Sequence, residues 1–251
     1  LYDIRSSFIN ELTSTTVNVK YFQWYAPTRP ANLTAGENAF DLLAVQLRSY
    51  ALSLLHADVL LITSFFEGFT DNCIVEWDYR YSLPPVFVIL YDLIPLIYQS
   101  QYLTTNPTYE NFYRNKLKLL TSADGLLAIS KSAANEGKNY LDFDQNFIFN
   151  ISSACNKEIF KIQDNESQVQ SFIEKRDLGE YILYSGAADH RKNISTLIKA
   201  YSKLPDNLIV QYSLVFVGRL SQPEINMITH CAFLEGLPIE YIRIMGYVTD
   251  K

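Results

Sequence analysis

The sequence predicts an α/β protein built from two doubly wound domains, each with a parallel sheet. Short, almost wholly apolar runs alternate with longer segments whose apolar residues recur at helical spacing. This alternation is typical of a parallel sheet covered by helices on both faces. A polar, charged stretch divides the pattern, so we expect a domain over 1–162, a linker with a helix over 163–179 and a second domain over 180–251.

The first domain opens in a helical-looking segment, followed by a proline-containing loop at Tyr25–Gly36. The next predicted helix is amphipathic, and its apolar positions are Leu43, Leu47, Tyr50, Ala51 and Leu54. The predicted helices are Tyr2–Leu12, Ala39–Leu55, Asn111–Leu120 and Lys131–Tyr140, the last capped by Ser130. The predicted strands are Val59–Thr63, Val86–Leu90, Leu126–Ile129 and Phe147–Ile151.

The second domain repeats the alternation of strands and helices. Its predicted strands are Tyr181–Tyr184, Ser213–Val217 and Tyr241–Met245, and its predicted helices are Asn193–Lys203 and Gln222–Leu234. In the first of these helices the apolar residues Ile194, Leu197, Ile198 and Tyr201 share one face. We expect that face to pack on the sheet.

The turn before this helix carries two adjacent basic residues, Arg191 and Lys192, and Asn193 stands at the expected N-cap. Free N–H groups, the positive end of the helix dipole and two cations together favour an anion, most naturally phosphate. A solvated basic turn between a strand and a helix explains the same residues equally well. The residues alone leave both interpretations open.

The amino-acid composition argues against several classes of protein. The net charge is −6, with 48% hydrophobic and 19% charged residues, which argues against nucleic acid as a partner and against disorder. The three cysteines are widely spaced and lack a CxxC pair, so they predict reduced thiols in a cytoplasmic protein and no metal site. No apolar run reaches the ~18 residues expected of a membrane span.

Three segments resemble, in the same order, a family of glycosyltransferases. Tyr181–Pro205 (YILYSGAADHRKNISTLIKAYSKLP) is similar to the segment that opens the family's nucleotide-sugar domain. Val88–Tyr102 (VILYDLIPLIYQSQY) is similar to its HDLIPL segment, and Lys116–Ser132 (KLKLLTSADGLLAISKS) to its AD-x-x-LAIS segment. The family is the retaining, GT-B-fold group called glycosyl transferases group 1.

The resemblance implies a GT-B fold of two Rossmann-like domains, the first presenting the acceptor and the second, truncated here, binding the nucleotide sugar. It implies transfer of a hexose, mannose or similar, with retention, to a saccharide or lipid-linked saccharide in surface polysaccharide or O-antigen assembly. It implies no metal or other cofactor, because cations neutralise the leaving diphosphate. It also allows peripheral association with the inner membrane or with assembly partners.

The donor-side residues implied by the resemblance follow the strands of the second domain. Lys192 matches the family's phosphate-binding lysine. An arginine normally follows the strand-end glycine, but this chain has Gly186 and then Ala187, so either Arg191 substitutes for that arginine, which we favour, or the site is weakened. Gly218 and Arg219, after the next strand, are secondary candidates whose alternative is a surface turn.

The acceptor-side residues implied by the resemblance lie in the first domain. Asp92 follows a strand and either orients a substrate hydroxyl as a catalytic residue or caps the next turn. Tyr91 stands where the family has histidine, which leaves a hydrogen-bonding or stacking role. Glu67 either contacts the acceptor or belongs to a plain turn, and Ser153 occupies the place of a family glycine that faces the acceptor.

Two rival functions stay open. Another enzyme of GT-B architecture, such as a sugar-nucleotide epimerase, fits the order of the three segments less well. A non-catalytic domain that only binds glycan or a partner is favoured by Ala187 and Tyr91. Because the second domain is truncated after three predicted strands, we expect this piece alone to be inactive. An incomplete sheet also leaves an unpaired edge and uncovered apolar strands, so we expect the piece to be poorly soluble.

Overall fold

The computed structural model describes residues 20, 22, 24, 28–33, 39–157, 160–162, 166–188 and 190–248. The chain divides into two compact units, Leu1–Ala154 and Cys155–Lys251. The predicted helix Tyr2–Leu12 lies outside the described residues, as does most of the loop Tyr25–Gly36. The domain boundaries predicted at 162 and 179 stay predictions.

The first unit contains a parallel sheet in the order β1-β2-β3-β4. Its strands are β1 Leu60–Ile62, β2 Val86–Leu90, β3 Gly125–Ala128 and β4 Ile148–Asn150. Its α-helices are α1 Ala39–Ser53, α2 Ile94–Ile97, α3 Gln99–Tyr102, α4 Pro107–Leu120 and α5 Lys131–Tyr140, and short 3₁₀ turns occur at Ala31–Leu33 and Gln145–Phe147. Because the strands are parallel, their carboxyl ends meet at one edge of the sheet.

The core of the first unit forms around the central strands. In β2 every second residue is buried, so that Val86, Val88 and Leu90 are each at most 1% exposed. They belong to the same apolar cluster as Leu126 of β3 and Leu120, the last residue of α4. The β2 strand and helix α5 have the bounds that the sequence predicts, and Ser130 caps α5 by accepting a hydrogen bond from the Ala133 N–H.

Helix α1 forms where it is predicted but does not bury the expected face. Leu43 and Leu47 are 45% and 47% exposed, whereas the small residues Ala44 and Ser49 are buried. Polar bonds to the loop before β2 fix this orientation, since the Ser49 Oγ accepts from the Asp78 N–H at 3.0 Å and Arg48 donates to the Glu76 carbonyl at 2.8 Å. The periodicity of a helix identifies an apolar stripe, while the neighbouring loop decides what the helix buries.

We expect Ser49→Ala to destabilise the first unit by about 1–3 kcal/mol, because it leaves the half-buried Asp78 N–H without its acceptor. Ser53→Ala is the matched control: this serine lies on the same helix and donates to the Tyr50 carbonyl at an exposed site. Chemical denaturation of both variants measures the difference. Equal midpoints for the two variants would show that the Ser49–Asp78 hydrogen bond contributes nothing.

The second unit contains a parallel sheet in the order β5-β6-β7. Its strands are β5 Glu180–Ser185, β6 Tyr212–Val217 and β7 Ile242–Gly246. Its α-helices are α6 Glu166–Lys175, α7 Ile194–Tyr201, α8 Asp206–Gln211 and α9 Gln222–Leu234, and 3₁₀ turns occur at His190–Lys192 and Ile239–Tyr241.

Helix α7 packs as its sequence predicts. Ile194, Ile198 and Tyr201 are at most 3% exposed and join an apolar cluster that includes Phe216 of β6 and Ile228 of α9. The Tyr201 hydroxyl donates to the Tyr212 carbonyl at 2.6 Å, which ties the end of the helix to the start of β6. This packing fixes where the first turn of α7 lies relative to the sheet.

Within the part of the chain that the structure describes, strand β5 lies at the edge of its sheet and carries exposed apolar side chains. Ile182 and Leu183 are 39% and 55% exposed. An unpaired edge combined with an uncovered apolar strand is a recognised aggregation risk. The expected poor solubility of residues 1–251 stays a prediction.

Candidate functional site

The carboxyl edge of the second sheet is formed by glycines. Gly186, Gly218 and Gly246 stand at the ends of β5, β6 and β7, each with positive φ. The Gly186 N–H donates to the Val217 carbonyl and the Gly218 N–H to the Gly246 carbonyl, both at 2.9 Å. A Cβ on Gly218 would lie 2.3 Å from the Gly186 oxygen, so the two backbones approach too closely for any side chain. The three strand ends therefore carry no side chain that would stand between the edge of the sheet and a ligand.

The basic turn lies between β5 and α7. Arg191 and Lys192 are exposed and belong to the 3₁₀ turn that leads into the helix. Asn193 holds the predicted N-cap position in a left-handed conformation, with φ 50°, but its side chain makes no capping hydrogen bond. The Asn193 side chain therefore does not occupy the N–H groups of the first turn, although the Thr196 N–H already donates to the Asn193 carbonyl at 3.1 Å. The role of this turn toward an anion stays a prediction.

Arg219 follows Gly218 at the same edge. Its guanidinium lies over the ring of Tyr247, 4.8 Å from the ring centroid, and Tyr247 follows Gly246. A cation–π contact restrains both exposed side chains at the ends of adjacent strands. The structure brings Gly186, Gly218 and Arg219 to one edge; their roles toward a donor stay predictions.

Tyr91 and Asp92 follow β2 directly at the carboxyl edge of the first sheet. The Ile94 N–H donates to the Asp92 Oδ1 at 3.1 Å, so the carboxylate does cap the turn into α2. Its charge also acts on α4, because burial and then the Asp92 carboxylate raise the pKa of the Tyr109 phenol. Tyr91 is 54% exposed beside it. The turn-capping interpretation of Asp92 is thereby confirmed, and its role toward a substrate stays a prediction.

Glu67 and Ser153 are each held by a local hydrogen bond. The Ser64 hydroxyl donates to the Glu67 carboxylate at 2.5 Å in the loop after β1. The Ser153 hydroxyl donates to the Ile129 carbonyl at 3.2 Å, which joins the loops that follow β4 and β3. The neighbouring Ser152 has φ 60°, the conformation for which glycine is the usual residue. Both predicted residues lie near the carboxyl edge, and their roles toward an acceptor stay predictions.

Gly246 and Tyr247 belong to the same edge as the donor-side candidates, but the sequence reasoning did not select them. A repeated glycine could have identified them, because each strand of the second unit ends at or just before a glycine. Within the residues that the structure describes, no group of three or more His, Cys, Asp or Glu side chains is placed to bind a metal ion.

Comparison with known sequences connects this arrangement to glycosyltransferases. Residues 165–238, which include the basic turn and α7, match the model of the family Glycosyl transferases group 1. The chain is 32% identical over 256 residues to the serotype-specific mannosyltransferase WbdA of Escherichia coli, covering 99% of this chain and 30% of that protein. A further WbdA sequence of Escherichia coli is 31% identical over 255 residues. The chain thus spans about 30% of the length of the curated relatives that it matches.

Solved structures show the same fold. A glycosyltransferase from Rickettsia africae superposes with a TM-score of 0.58 at 15% identity, covering 86% of this chain and 54% of that chain. HepE from Anabaena in complex with UDP gives 0.52 at 14% identity over 66% and 43% of the two chains. WaaG, a glycosyltransferase involved in lipopolysaccharide biosynthesis, gives 0.51 at 11% identity over 83% and 67%. These likenesses confirm the predicted GT-B fold with its two parallel α/β units.

Proposed function

We propose that this chain forms part of a glycosyltransferase that moves mannose or a related hexose from a nucleoside diphosphate to a saccharide acceptor. The observation that carries the proposal is the exposed basic turn Arg191–Lys192 at the start of α7, within the segment that matches the glycosyltransferase family. The 32% identity to named mannosyltransferases over nearly the whole chain supports the choice of sugar. Assembly of a surface polysaccharide such as O-antigen is the setting that these relatives favour.

The second unit binds the donor diphosphate in this proposal. Phosphate oxygens accept hydrogen bonds from the N–H groups of the first turn of α7, where the helix dipole is positive. Lys192 and Arg191 neutralise the charge that builds on the diphosphate as the glycosidic bond breaks, and no metal is needed for that step. Turnover that persists in excess chelator would support this, and turnover that requires added Mg²⁺ would contradict it.

The first unit presents the acceptor in this proposal. An acceptor hydroxyl attacks the anomeric carbon from the face that the diphosphate leaves, which retains the configuration of the sugar. Asp92 orients a hydroxyl with the oxygen that does not serve the Ile94 N–H, and Tyr91 contacts the sugar beside it. Glu67 and Ser153 line the same edge of the first sheet.

We expect Asp92→Asn to lower kcat/KM about tenfold or more while leaving the melting temperature unchanged. Asparagine keeps the oxygen that accepts from the Ile94 N–H and removes only the charge. Asp144→Asn is the matched control, since the Asp144 Oδ1 accepts from the Asn146 N–H at 2.9 Å in an equivalent turn. Normal turnover in Asp92→Asn would reduce Asp92 to a turn cap.

The deciding experiment is a donor screen on the full-length protein with GDP-mannose, UDP-glucose and other nucleotide sugars, using an α-mannooligosaccharide as acceptor. Transfer from GDP-mannose with an α-linked product supports the proposal, including retention. Saccharide binding without transfer from any donor would favour the non-catalytic alternative, for which Ala187 in place of the family's arginine is the specific observation.

We place this reaction at the cytoplasmic face of the inner membrane, where nucleotide sugars are available, with peripheral association through a lipid-linked acceptor or assembly partners. No helix among the described residues has both the length and the apolar character to cross a bilayer. Fractionation of cells that express the full-length protein tests the placement: we expect the protein in the soluble or salt-extractable fractions.

A further inference from the structure

A cavity of about 640 Å³ lies in the first unit, between α1, α4 and the loop 68–76 that follows β1. Its volume falls within the ~300–1,000 Å³ of small-molecule sites. The strand-end residues Tyr91, Asp92 and Ser153 do not line it, and Gly68 is the point where it meets the edge near Glu67. The cavity therefore is a separate feature from the acceptor residues considered above.

Helix α4 contributes both polar and apolar side chains to this cavity. Thr108, Asn111 and Asn115 line it at positions i, i+3 and i+7, and Lys116 lies directly after the last of them. Asn111 and Asn115 are exposed, whereas a helix face that packs against its own unit is normally apolar. Two side-chain amides one turn apart can donate to and accept from the same ligand.

The floor of the cavity carries buried charge. The Lys116 side chain is 3% exposed, and its ammonium forms an ion pair with the Glu76 carboxylate. The same ammonium lies 5.2 Å from the centroid of the Phe112 ring. Burial lowers the pKa of Lys116, and the Glu76 charge partly opposes that effect. An ammonium has three N–H donors, so this ion pair leaves hydrogen-bonding capacity unused at the cavity wall.

Asp41, at the start of α1, adds an acceptor to the lining of the cavity. Its Oδ1 is buried and has no hydrogen-bond partner within the part of the chain that the structure describes. Burial, followed by the Glu76 charge, raises the pKa of this carboxyl. A buried oxygen without a partner is costly unless a ligand or water satisfies it.

The charges around the cavity balance. Arg29 and Lys116 line it together with Asp41 and Glu76, so the formal sum is zero. An anionic ligand would meet two carboxylates and a cation would meet the Lys116 ammonium. The lining offers carboxylate acceptors, amides and an aromatic ring, which suit a neutral ligand rich in hydroxyl groups. Hydroxyls both donate and accept hydrogen bonds, and the C–H face of a sugar packs on apolar groups.

We propose that this cavity binds a neutral saccharide, a sugar residue of the acceptor, through Asn111, Asn115 and Asp41. The inference rests on the proposed transferase function for the identity of its ligand. It assigns a saccharide subsite to the face of α4, apart from Tyr91, Asp92 and Ser153, which do not line the cavity. The cavity then holds the acceptor chain while the reacting sugar lies at the strand edge.

The experiment uses α-mannotriose as the probe and Cys73, an exposed thiol that lines the cavity, as the reporter. Full-length protein is alkylated with N-ethylmaleimide at increasing mannotriose concentrations, and the modified peptides are quantified by mass spectrometry. The reaction is run at mildly alkaline pH, because burial raises the pKa of the Cys73 thiol. We expect mannotriose to slow alkylation of Cys73 at least fivefold and to leave the exposed Cys155 unchanged.

The matched variants are Asn111→Ala with Asn115→Ala, and Lys118→Ala as control. The double variant removes two exposed amides and should fold normally, while Lys118 is exposed on α4 and does not line the cavity. We expect the double variant to weaken mannotriose protection of Cys73 and to raise the acceptor KM about tenfold, with kcat little changed. The control should match the unmodified protein in both measurements.

The two proposals fail separately. Protection of Cys73 without transfer from any nucleotide sugar would keep the saccharide site and overturn the transferase assignment. Two results would overturn the saccharide site and keep the transferase. In the first, sugar transfer proceeds but saturating mannotriose leaves Cys73 alkylation unchanged. In the second, the acceptor KM of the double variant is unaltered.

Discussion

Lys192→Ala is expected to lower kcat/KM of the full-length enzyme by about a hundredfold or more, which corresponds to ~2.7 kcal/mol of transition-state stabilisation. The reason is that the ammonium interacts more strongly with the departing diphosphate than with the intact donor, because negative charge builds there as the bond breaks. Steady-state kinetics with the donor that supports turnover measures the effect.

The melting temperature should not change in this variant, because Lys192 is an exposed side chain at the start of a helix. Lys199→Ala is the matched control, since Lys199 is an exposed cation in the last turn of the same helix. Arg191→Ala should show a comparable loss if that residue replaces the cation missing at Ala187. Near-normal turnover in Lys192→Ala would reduce the basic pair to a solvated turn.

Gly218→Ala is expected to destabilise the second unit by about 3 kcal/mol or more, combining strain at a positive φ with overpacking. The new Cβ would lie 2.3 Å from the Gly186 carbonyl oxygen, a backbone atom that cannot rotate away. Relieving this contact means separating the ends of β5 and β6, so donor binding should weaken as well. Thermal melts and nucleotide-sugar titration measure the two consequences.

Gly236→Ala separates strain from overpacking. Gly236 has φ 68°, and a Cβ there meets nothing within 4 Å. Its substitution therefore carries only the cost of the left-handed conformation, about 1–2 kcal/mol, and should leave donor binding intact. Equal losses of stability in Gly218→Ala and Gly236→Ala would show that the close approach of Gly186 and Gly218 adds no cost of its own.

The pattern of the chain was sufficient to locate most elements. Helix α9 and strand β2 match their predicted bounds. A capping box of Ser221 and Glu224 marks the start of the helix, and the strand is a continuous apolar run between loop residues. Helix α4 begins at Pro107, four residues before the predicted start at Asn111, since Asn106 caps it and proline is favoured at the first position. The short helices α2, α3 and α8 were not predicted, because such brief turns carry too little periodicity.

The candidate site was also predicted in part from the sequence. The sequence predicted a basic turn before α7 and polar residues after the strands, because in a parallel sheet the carboxyl end of every strand reaches one edge. It also offered two interpretations of Asp92, and the hydrogen bond from the Ile94 N–H decided that the turn cap is real. The sequence could not show that Asn193 occupies the N-cap position while its side chain makes no capping hydrogen bond.

By itself the sequence determined the parallel α/β fold, the positions of its strands and of most of its longer helices, and the basic turn at α7. Only the tertiary structure decided that α1 buries Ala44 and Ser49 in place of its leucines, that Gly218 meets Gly186, and that Lys116 pairs with Glu76 beside a cavity. The physical reason is that periodicity and capping act between residues a few positions apart. Burial, ion pairing and backbone contact depend on groups that are distant along the chain and meet only when the sheet and its helices assemble.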